Sequence, residues 1–346
     1  MKKNNIFEVF LTSQNNIFFL FAVFPISILL GSFAINLNIL IISLIFLCNL
    51  MMRKISYIFQ SKTFLLLIFF LITLLINLIF TNNLSLSFPR VVKFFFVIFF
   101  ISSFKYALLN FSDNQKEGLY KIWSIIFTFI VFDLMIEFYR GENIIGLKSI
   151  MPNVRLASLT GKESVIGNYF YGFVLIFLSY FYNNFSKKGS INLLLAIFLI
   201  TVSFLIGERA NFIRTFIIII LFIFFIYDFK VRNKILALLA LSLLLITFIN
   251  FNPQYKTRYF NQISILFTKN GISSYLNSSH YGAHYNVAKE ILKDNYFFGV
   301  GIKNFRIESA KDKYKNLKHP KNYKRAATHP HQLHYEFLSE TGLFGY

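Results

Sequence analysis

Apolar residues along this 346-residue chain come in long runs, with most charged residues in the gaps between them. Nine runs are long enough to cross a hydrocarbon layer, at about 17–34, 36–52, 63–80, 91–109, 120–138, 166–183, 191–207, 211–228 and 235–251. The first two are nearly continuous and read either as a tight hairpin or as one broken helix. Within lipid every backbone N–H and C=O must find a partner inside the segment, so helices are the expected spanning form. From residue 253 the pattern changes. The chain becomes polar and rich in Lys, Tyr and Asn, with apolar periodicity only around 287–292 and 333–344. Residues 338–346 turn apolar again, which reads as the start of a further membrane helix in a chain expected to be a piece of a longer protein. The expected architecture is all-α and polytopic. It has a transmembrane bundle over 1–252, a mostly helical extracytoplasmic loop over 253–337, and the beginning of another span over 338–346.

Charge sets the expected orientation. Lys2/Lys3, Arg53/Lys54/Lys62, Lys105/Lys116, Lys187/Lys188 and Lys230/Arg232/Lys234 fall on alternate connections. Placing these inside puts the N-terminus in the cytoplasm and, after nine crossings, the segment beyond 252 outside. That segment carries fourteen basic and six acidic residues, but long loops translocate largely regardless of charge. The chain is 56% hydrophobic with a mean hydropathy of +0.58 and 47 phenylalanines, more apolar surface than a soluble domain could cover. The net charge of +20 is spread over loops, which argues against a nucleic-acid partner. The single cysteine, Cys48, sits in an apolar run and excludes an intrachain disulfide.

The candidate chemistry is concentrated in a few places. All six histidines (His280, His284, His319, His329, His331, His334) lie in the terminal polar segment. Histidine titrates near neutrality, so this segment is suited to acid/base work at a water–lipid boundary. His329-Pro330-His331-Gln332-Leu333-His334 is open to three readings: zinc ligands, solvated side chains, or a catalytic base. No carboxylate triad or cysteine stands near to complete a metal site, and the base is preferred, with His331 as the candidate. Gly207-Glu208-Arg209 forms a turn between two spans, where the Arg209 guanidinium can grip a diphosphate bidentately. Arg214 is five residues on and reads more readily as an anchor at the membrane surface. Asp133, Glu137 and Arg140 share a helical face. They read equally as a structural ion-pair cluster and as a site. The outer loop 139–165, ending in Arg155 through Ser164, can fold over a lipid head group. Gly299-Val300-Gly301 lacks the third glycine of a dinucleotide loop and reads as a tight turn.

Together these residues resemble the O-antigen ligase and Wzy-type polymerase superfamily. Its signature is His, then Asn, Ser or Gln, nine residues, Gly, two residues, then Gly, Thr or Tyr. His331-Gln332, nine residues, then Gly342-Leu343-Phe344-Gly345 satisfies each position. Gly207-Glu208-Arg209 is similar to the family's outer arginine turn, with Glu208 where many members have Ser. The stretch from Tyr285 to Phe305 is similar to the opening of the family's periplasmic loop. There the chain departs from the pattern: an arginine usually precedes an aromatic, whereas this sequence reads His280-Tyr-Gly-Ala-His284-Tyr285. Either a histidine replaces the second phosphate-binding arginine, or Arg258 or Arg306 takes over. The resemblance covers about residues 150–346.

The resemblance implies a metal-independent glycosyltransferase with a GT-C-like fold and no cofactor, in the bacterial inner membrane, with the 253–337 loop periplasmic. Its donor would be a polyprenyl-diphosphate-linked glycan and its acceptor lipid A–core. A polymerase using a second lipid-linked glycan as acceptor is the close alternative. His331 and Arg209 would be catalytic. Arg214, Arg155, His284, His280, Arg306, Gln332 and Glu137 would contact substrate. A lipid-linked-oligosaccharide flippase is a rival of another class, and would need no histidine base. A structural membrane scaffold is a third, and would tolerate loss of both Arg209 and His331.

Overall fold

The computed structural model describes residues 14–52, 61–152, 154–161, 165–184, 189–261, 264 and 267–346. Among these every regular element is helical: α1 (Gln14–Ala22), α2 (Phe24–Leu29), α3 (Ser32–Met51), α4 (Lys62–Ile79), α5 (Leu84–Asn110), α6 (Asp113–Arg140), α7 (Ile166–Asn184), α8 (Gly189–Leu205), α9 (Arg209–Phe225), α10 (Val231–Phe251), α11 (Gly271–Ser278), α12 (His280–Asp294) and α13 (Leu333–Gly345). The chain is a multi-pass helical membrane protein. Five helices, α3, α4, α5, α6 and α10, meet both the length and the apolarity of a crossing helix, and Asn15–Leu29 and Ser190–Leu205 are shorter apolar stretches. All nine apolar runs fall on helices. The first is divided into α1 and α2 just before Pro25, and Gly31, with φ +94°, separates it from α3. Lys2, Lys3, Arg53, Lys54, Lys162, Glu163, Ser164, Lys187 and Lys188 lie outside the described residues.

The chain groups into two compact units. One takes residues 1–38 and 106–262, the other 39–105 and 263–346. In the first, α6 begins at a capping box: Ser112 Oγ accepts the Gln115 N–H at 3.3 Å and Gln115 Oε1 accepts the Ser112 N–H at 3.0 Å. It ends at left-handed Gly141. Its buried face meets α7 through Phe127–Phe170 and Trp123–Phe173 ring contacts at 5.1 and 5.6 Å. The Trp123 indole donates to Phe21 O at 2.9 Å, so this wide ring buries no unpaired N–H.

In the second unit α4 and α5 pack through Phe64–Phe99 and Phe70–Phe94. The Val287, Ala288 and Ile291 face of α12 builds a small core with Val300, Phe305 and Tyr314. α13 lies against α12 and α4. Polar side chains fix this arrangement. Asn77 donates to Phe298 O and Glu340 O, at 2.5 and 3.2 Å, and Asn82 donates to Glu308 Oε2 at 2.9 Å. The polar segment is thus folded onto a helix pair of its own unit by buried hydrogen bonds, which are costly to leave unmade in an apolar setting.

Candidate functional site

Two clusters of functional side chains stand out, one in each unit. The first is made of arginines. Arg155 lies in the irregular stretch at 154–157, Arg209 opens α9, and Arg258 lies in the π-helical turn Lys256–Asn261. The backbone brings these segments together. The Leu156 N–H donates to Ile206 O at 3.1 Å, Arg258 Nε donates to Gly207 O, and Arg209 Nη1 donates to Arg258 O at 3.4 Å. Gly207 has φ +77°, and a Cβ there would overlap the carbonyl oxygen of Val154, so glycine is required on both counts. Tyr255 and Tyr259 clamp the turn by donating to Leu205 O at 2.7 Å and Phe204 O at 2.9 Å.

The acids near this cluster are occupied elsewhere. Glu208 accepts the Gly167 N–H at 3.2 Å and Asn211 Nδ2 at 2.6 Å. Glu137 accepts the N–H groups of Ala157 and Ser158, and Asp133 accepts the Ser158 hydroxyl and the Ile144 N–H. Arg140 is exposed and reaches Glu142 at 3.5 Å, so the helical face shared by Asp133, Glu137 and Arg140 does not become an ion pair. The two carboxylates instead tie down the loop that follows α6, and Glu137 grips the backbone two residues beyond Arg155. Among the described residues none of Arg155, Arg209 and Arg258 has a carboxylate partner, and Arg155 Nε is buried without a hydrogen bond. Burial and then the neighbouring Arg155 and Arg209 charges push the Arg258 guanidinium below its ordinary range. Glu208 opposes this shift but makes no ion pair with the arginines, so three like charges with no carboxylate in contact make a cluster that an anion would relieve. The N-terminal amides of α9 add the same sign of potential. Arg214 is exposed and forms no ion pair among the described residues.

The second cluster is made of histidines. α12 starts at Ser279, whose hydroxyl accepts the Gly282 N–H, and this places His280, Tyr281 and His284 on its first turns. His329 and His331 come from the segment leading into α13. His331 stacks on His284 with centroids 5.3 Å apart, meets Tyr281 at 5.3 Å, and lies 4.1 Å from His329. His280 is 5.5 Å from His284. His331 sits two residues before α13 with φ +61°, a left-handed backbone that costs a non-glycine residue about 1–3 kcal/mol and is commonest at functional sites. The sequence places His331 at the helix start, but the cap is Gln332, whose side-chain oxygen accepts the Tyr335 N–H at 2.7 Å. That is work Asn and Ser do as well.

The protonation states are set by these surroundings. His284 Nε2 faces Lys324 O at 3.0 Å, and a carbonyl only accepts, so the proton is on Nε2 and Nδ1 carries a bare lone pair. Burial, and then the His331 charge, push His284 down to about 4. It is neutral at physiological pH and ill-suited to replace an arginine. Burial, His329 and His280 also lower His331, with Glu336 opposing. His331 is an exposed, neutral imidazole with no hydrogen bond to the protein among the described residues. His319 is a brace, donating to Leu276 O at 3.0 Å and accepting the Lys321 N–H at 3.1 Å. His334 is exposed and meets the Tyr346 hydroxyl at 2.8 Å. Arg306 is exposed on the short turn Phe305–Glu308 and forms no ion pair among the described residues. No group of three or more His, Cys, Asp and Glu side chains among the described residues is arranged to hold a metal ion.

Sequence reasoning named Arg209, Arg155, His280, His284 and His331, and left Arg258 as one of several substitutes. It passed over His329 as a partner of His331 and Tyr281 as part of the ring cluster. An aromatic-histidine repeat on the first turn of a helix was the available signal. Residues 191–346 match the family model described as O-antigen ligase (Wzy_C). The match includes Arg209, Arg258 and all six histidines, and leaves Arg155 and helices α1–α7 outside. No curated protein and no solved structure matches the chain.

Proposed function

We propose, for a chain that carries the domain of the O-antigen ligase family over residues 191–346, that it transfers a polyprenyl-diphosphate-linked glycan to an acceptor hydroxyl. The family supports ligase- or polymerase-type chemistry in O-antigen biosynthesis. The observation that carries the finer reading is the set of three arginines without a carboxylate partner. A departing diphosphate needs its charge held, and guanidinium forks hold it bidentately. Arg209 and Arg258 serve as the principal ligands, with Arg155 beside them. Arg258 fills the place of the missing family arginine, because His284 is neutral and cannot balance an anion.

His331 is the general base. A sugar hydroxyl is a weak nucleophile and needs its proton removed as the bond forms. The acceptor oxygen attacks the anomeric carbon, and the bond from that carbon to the phosphate oxygen breaks. The electron pair leaves on the diphosphate, and the hydroxyl proton passes to His331. Direct displacement inverts the anomeric centre, and a product of retained configuration would overturn this step. No resident metal or cofactor is invoked.

The acceptor is proposed to be lipid A–core, which makes the protein a ligase in the bacterial inner membrane with its histidine segment periplasmic. The polymerase reading stands beside it: the stretch from Arg155 to Glu163-Ser164 is slightly similar to polymerases, and its Arg155 joins the arginine cluster. Purified protein in liposomes with lipid-linked repeat units, with and without lipid A–core, separates the two. Transfer only when lipid A–core is present marks a ligase, and growth of lipid-linked chains without it marks a polymerase. A flippase would move the donor across the bilayer and release no diphosphate. That outcome, with His331→Ala as active as the parent, would overturn the transferase reading.

A further inference from the structure

A cavity of 280 Å³ lies within the second unit, lined in part by Leu333, Glu336 and Phe337 of α13, and the transfer reading does not use it. Its floor is aromatic. Phe70 of α4 meets Phe94 of α5 edge-on at 5.2 Å and Phe337 of α13 at 6.1 Å, and Leu74 closes the bottom. Its rim holds Arg90, Lys303, Glu336 and Glu340. Most of these polar groups already have partners. Lys303 pairs with Glu336 at 3.2 Å, Glu340 Oε1 accepts the Phe305 N–H at 3.3 Å, and the Thr341 hydroxyl donates to Phe337 O at 2.9 Å. Arg90 is exposed and has no ion pair among the described residues.

The surroundings say what fits. α4 and α5 both qualify as membrane-crossing helices, and Arg90 lies in the second turn of α5, just after the short connection between them. A guanidinium at the end of a span sits at the level of lipid head groups. The cavity is about twice the roughly 150 Å³ hollow that admits one benzene ring, so it takes a single linear chain of about ten carbons. The geometry points to a binding site for the phosphate head and one hydrocarbon chain of a membrane lipid, with Arg90 on the phosphate and Phe70, Phe94 and Phe337 along the chain. Lys303 offsets Glu336 and Glu340 is buried on the Phe305 N–H, which leaves Arg90 as the exposed cation of the lining without an ion pair among the described residues.

Binding of radiolabelled decyl phosphate to the full chain in detergent micelles tests this, with decanol and inorganic phosphate as competitors. Decyl phosphate should bind saturably, with both competitors at least about tenfold weaker. Arg90→Gln should weaken decyl phosphate about tenfold, and Leu74→Trp, which fills the cavity floor, should abolish saturable binding. Decanol competing as well as unlabelled decyl phosphate would reduce the site to an apolar hollow and overturn the assignment. Inorganic phosphate competing equally, or Leu74→Trp binding normally, would make Arg90 a surface contact for anions and overturn it as well. Arg90→Gln is an exposed substitution, so a folding defect in Leu74→Trp leaves the test intact. His331→Ala should bind decyl phosphate like the parent, so a failure of the transfer mechanism is read separately from a failure of this site.

Discussion

Replacing His331 with asparagine removes the proposed base while keeping a residue that tolerates its left-handed backbone, since Asn adopts φ near +60° more readily than other non-glycine residues. Loss of a general base costs about 10²–10⁴ in rate, or roughly 3–5 kcal/mol in the barrier. The ring makes no hydrogen bond to the protein among the described residues, so folding should be little affected and the full loss should appear in turnover. The pH profile gives a second readout. Burial and the neighbouring histidines lower His331 from 6.5, so its neutral, basic form dominates above that pH. Activity should be flat at neutral pH and fall about tenfold per unit below an apparent pKa under 6.5, because acid protonates the base. Release of diphosphate from a lipid-linked donor in liposomes, followed from about pH 5 to 8, measures both effects. The reasoning is refuted if His331→Asn keeps more than about a tenth of the parental rate, or if the acid limb survives the substitution unchanged.

Arg258→Gln should lower kcat/KM by about 10²-fold or more, as loss of a charged ligand to the leaving group does, while exposed Arg140→Gln, whose ion pair among the described residues is with half-buried Glu142, should stay near parental in the same assay. Glu137→Gln should destabilise by about 1–3 kcal/mol, because the backbone N–H groups at 157 and 158 lose a charged acceptor, and limited proteolysis of the 141–161 loop should quicken. His284 is held neutral down to about 4 against 6.5 when unfolded, so it contributes stability above pH 6.5 that is lost on acidification towards pH 4. That loss is at most about 3 kcal/mol, and melting at both ends of the window should show it in the parent but not in His284→Leu. Gly342→Ala puts a Cβ into the Phe297 carbonyl at φ +65° and should cost about 1–3 kcal/mol or more in thermal melting.

The helices were legible because a run of apolar residues has only one stable backbone form in lipid: all nine runs are helical, the first divided between α1 and α2, and five helices are long and apolar enough to cross. Boundaries were less so. The break near Val23 and Pro25 and the turn at Gly31 depend on local backbone torsions that a hydropathy pattern does not carry. The glycine turn ahead of Arg209 and the helix that follows His331 were legible from motif spacing. The nearness of Arg258 to Arg209 was not, because it rests on a π-helical turn clamped by Tyr255 and Tyr259 to backbone carbonyls about fifty residues earlier. Asp133, Glu137 and Arg140 misled in part. Helical spacing put the three on one face, but the acids found backbone N–H groups in the following loop, and these supply acceptors with hydrogen bonds at no cost in side-chain order.

The strict spacing from Gln332 to Gly342 has a mechanical explanation. Gln332 caps α13, and Gly342 breaks its regular torsions at φ +65° and ψ −167°. The nine residues between them are two and a half turns of helix, about 13 Å at 1.5 Å per residue. At the far end Leu343 and Phe344 N–H groups bond to Tyr296 O and Phe297 O, both at 3.0 Å, which pins the helix to the chain leaving α12. At the near end His331 projects from the residue before the cap, against rings carried by the start of α12. The motif is therefore a ruler between two contacts with the same helix–loop segment. One residue more or fewer would turn its ends by about 100° relative to each other and could not satisfy both. Gln332 and Gly342 are fixed by this geometry, whereas His331 pays for a left-handed backbone and makes no hydrogen bond in return among the described residues, so of the three it is the one left for the proposed base chemistry to explain.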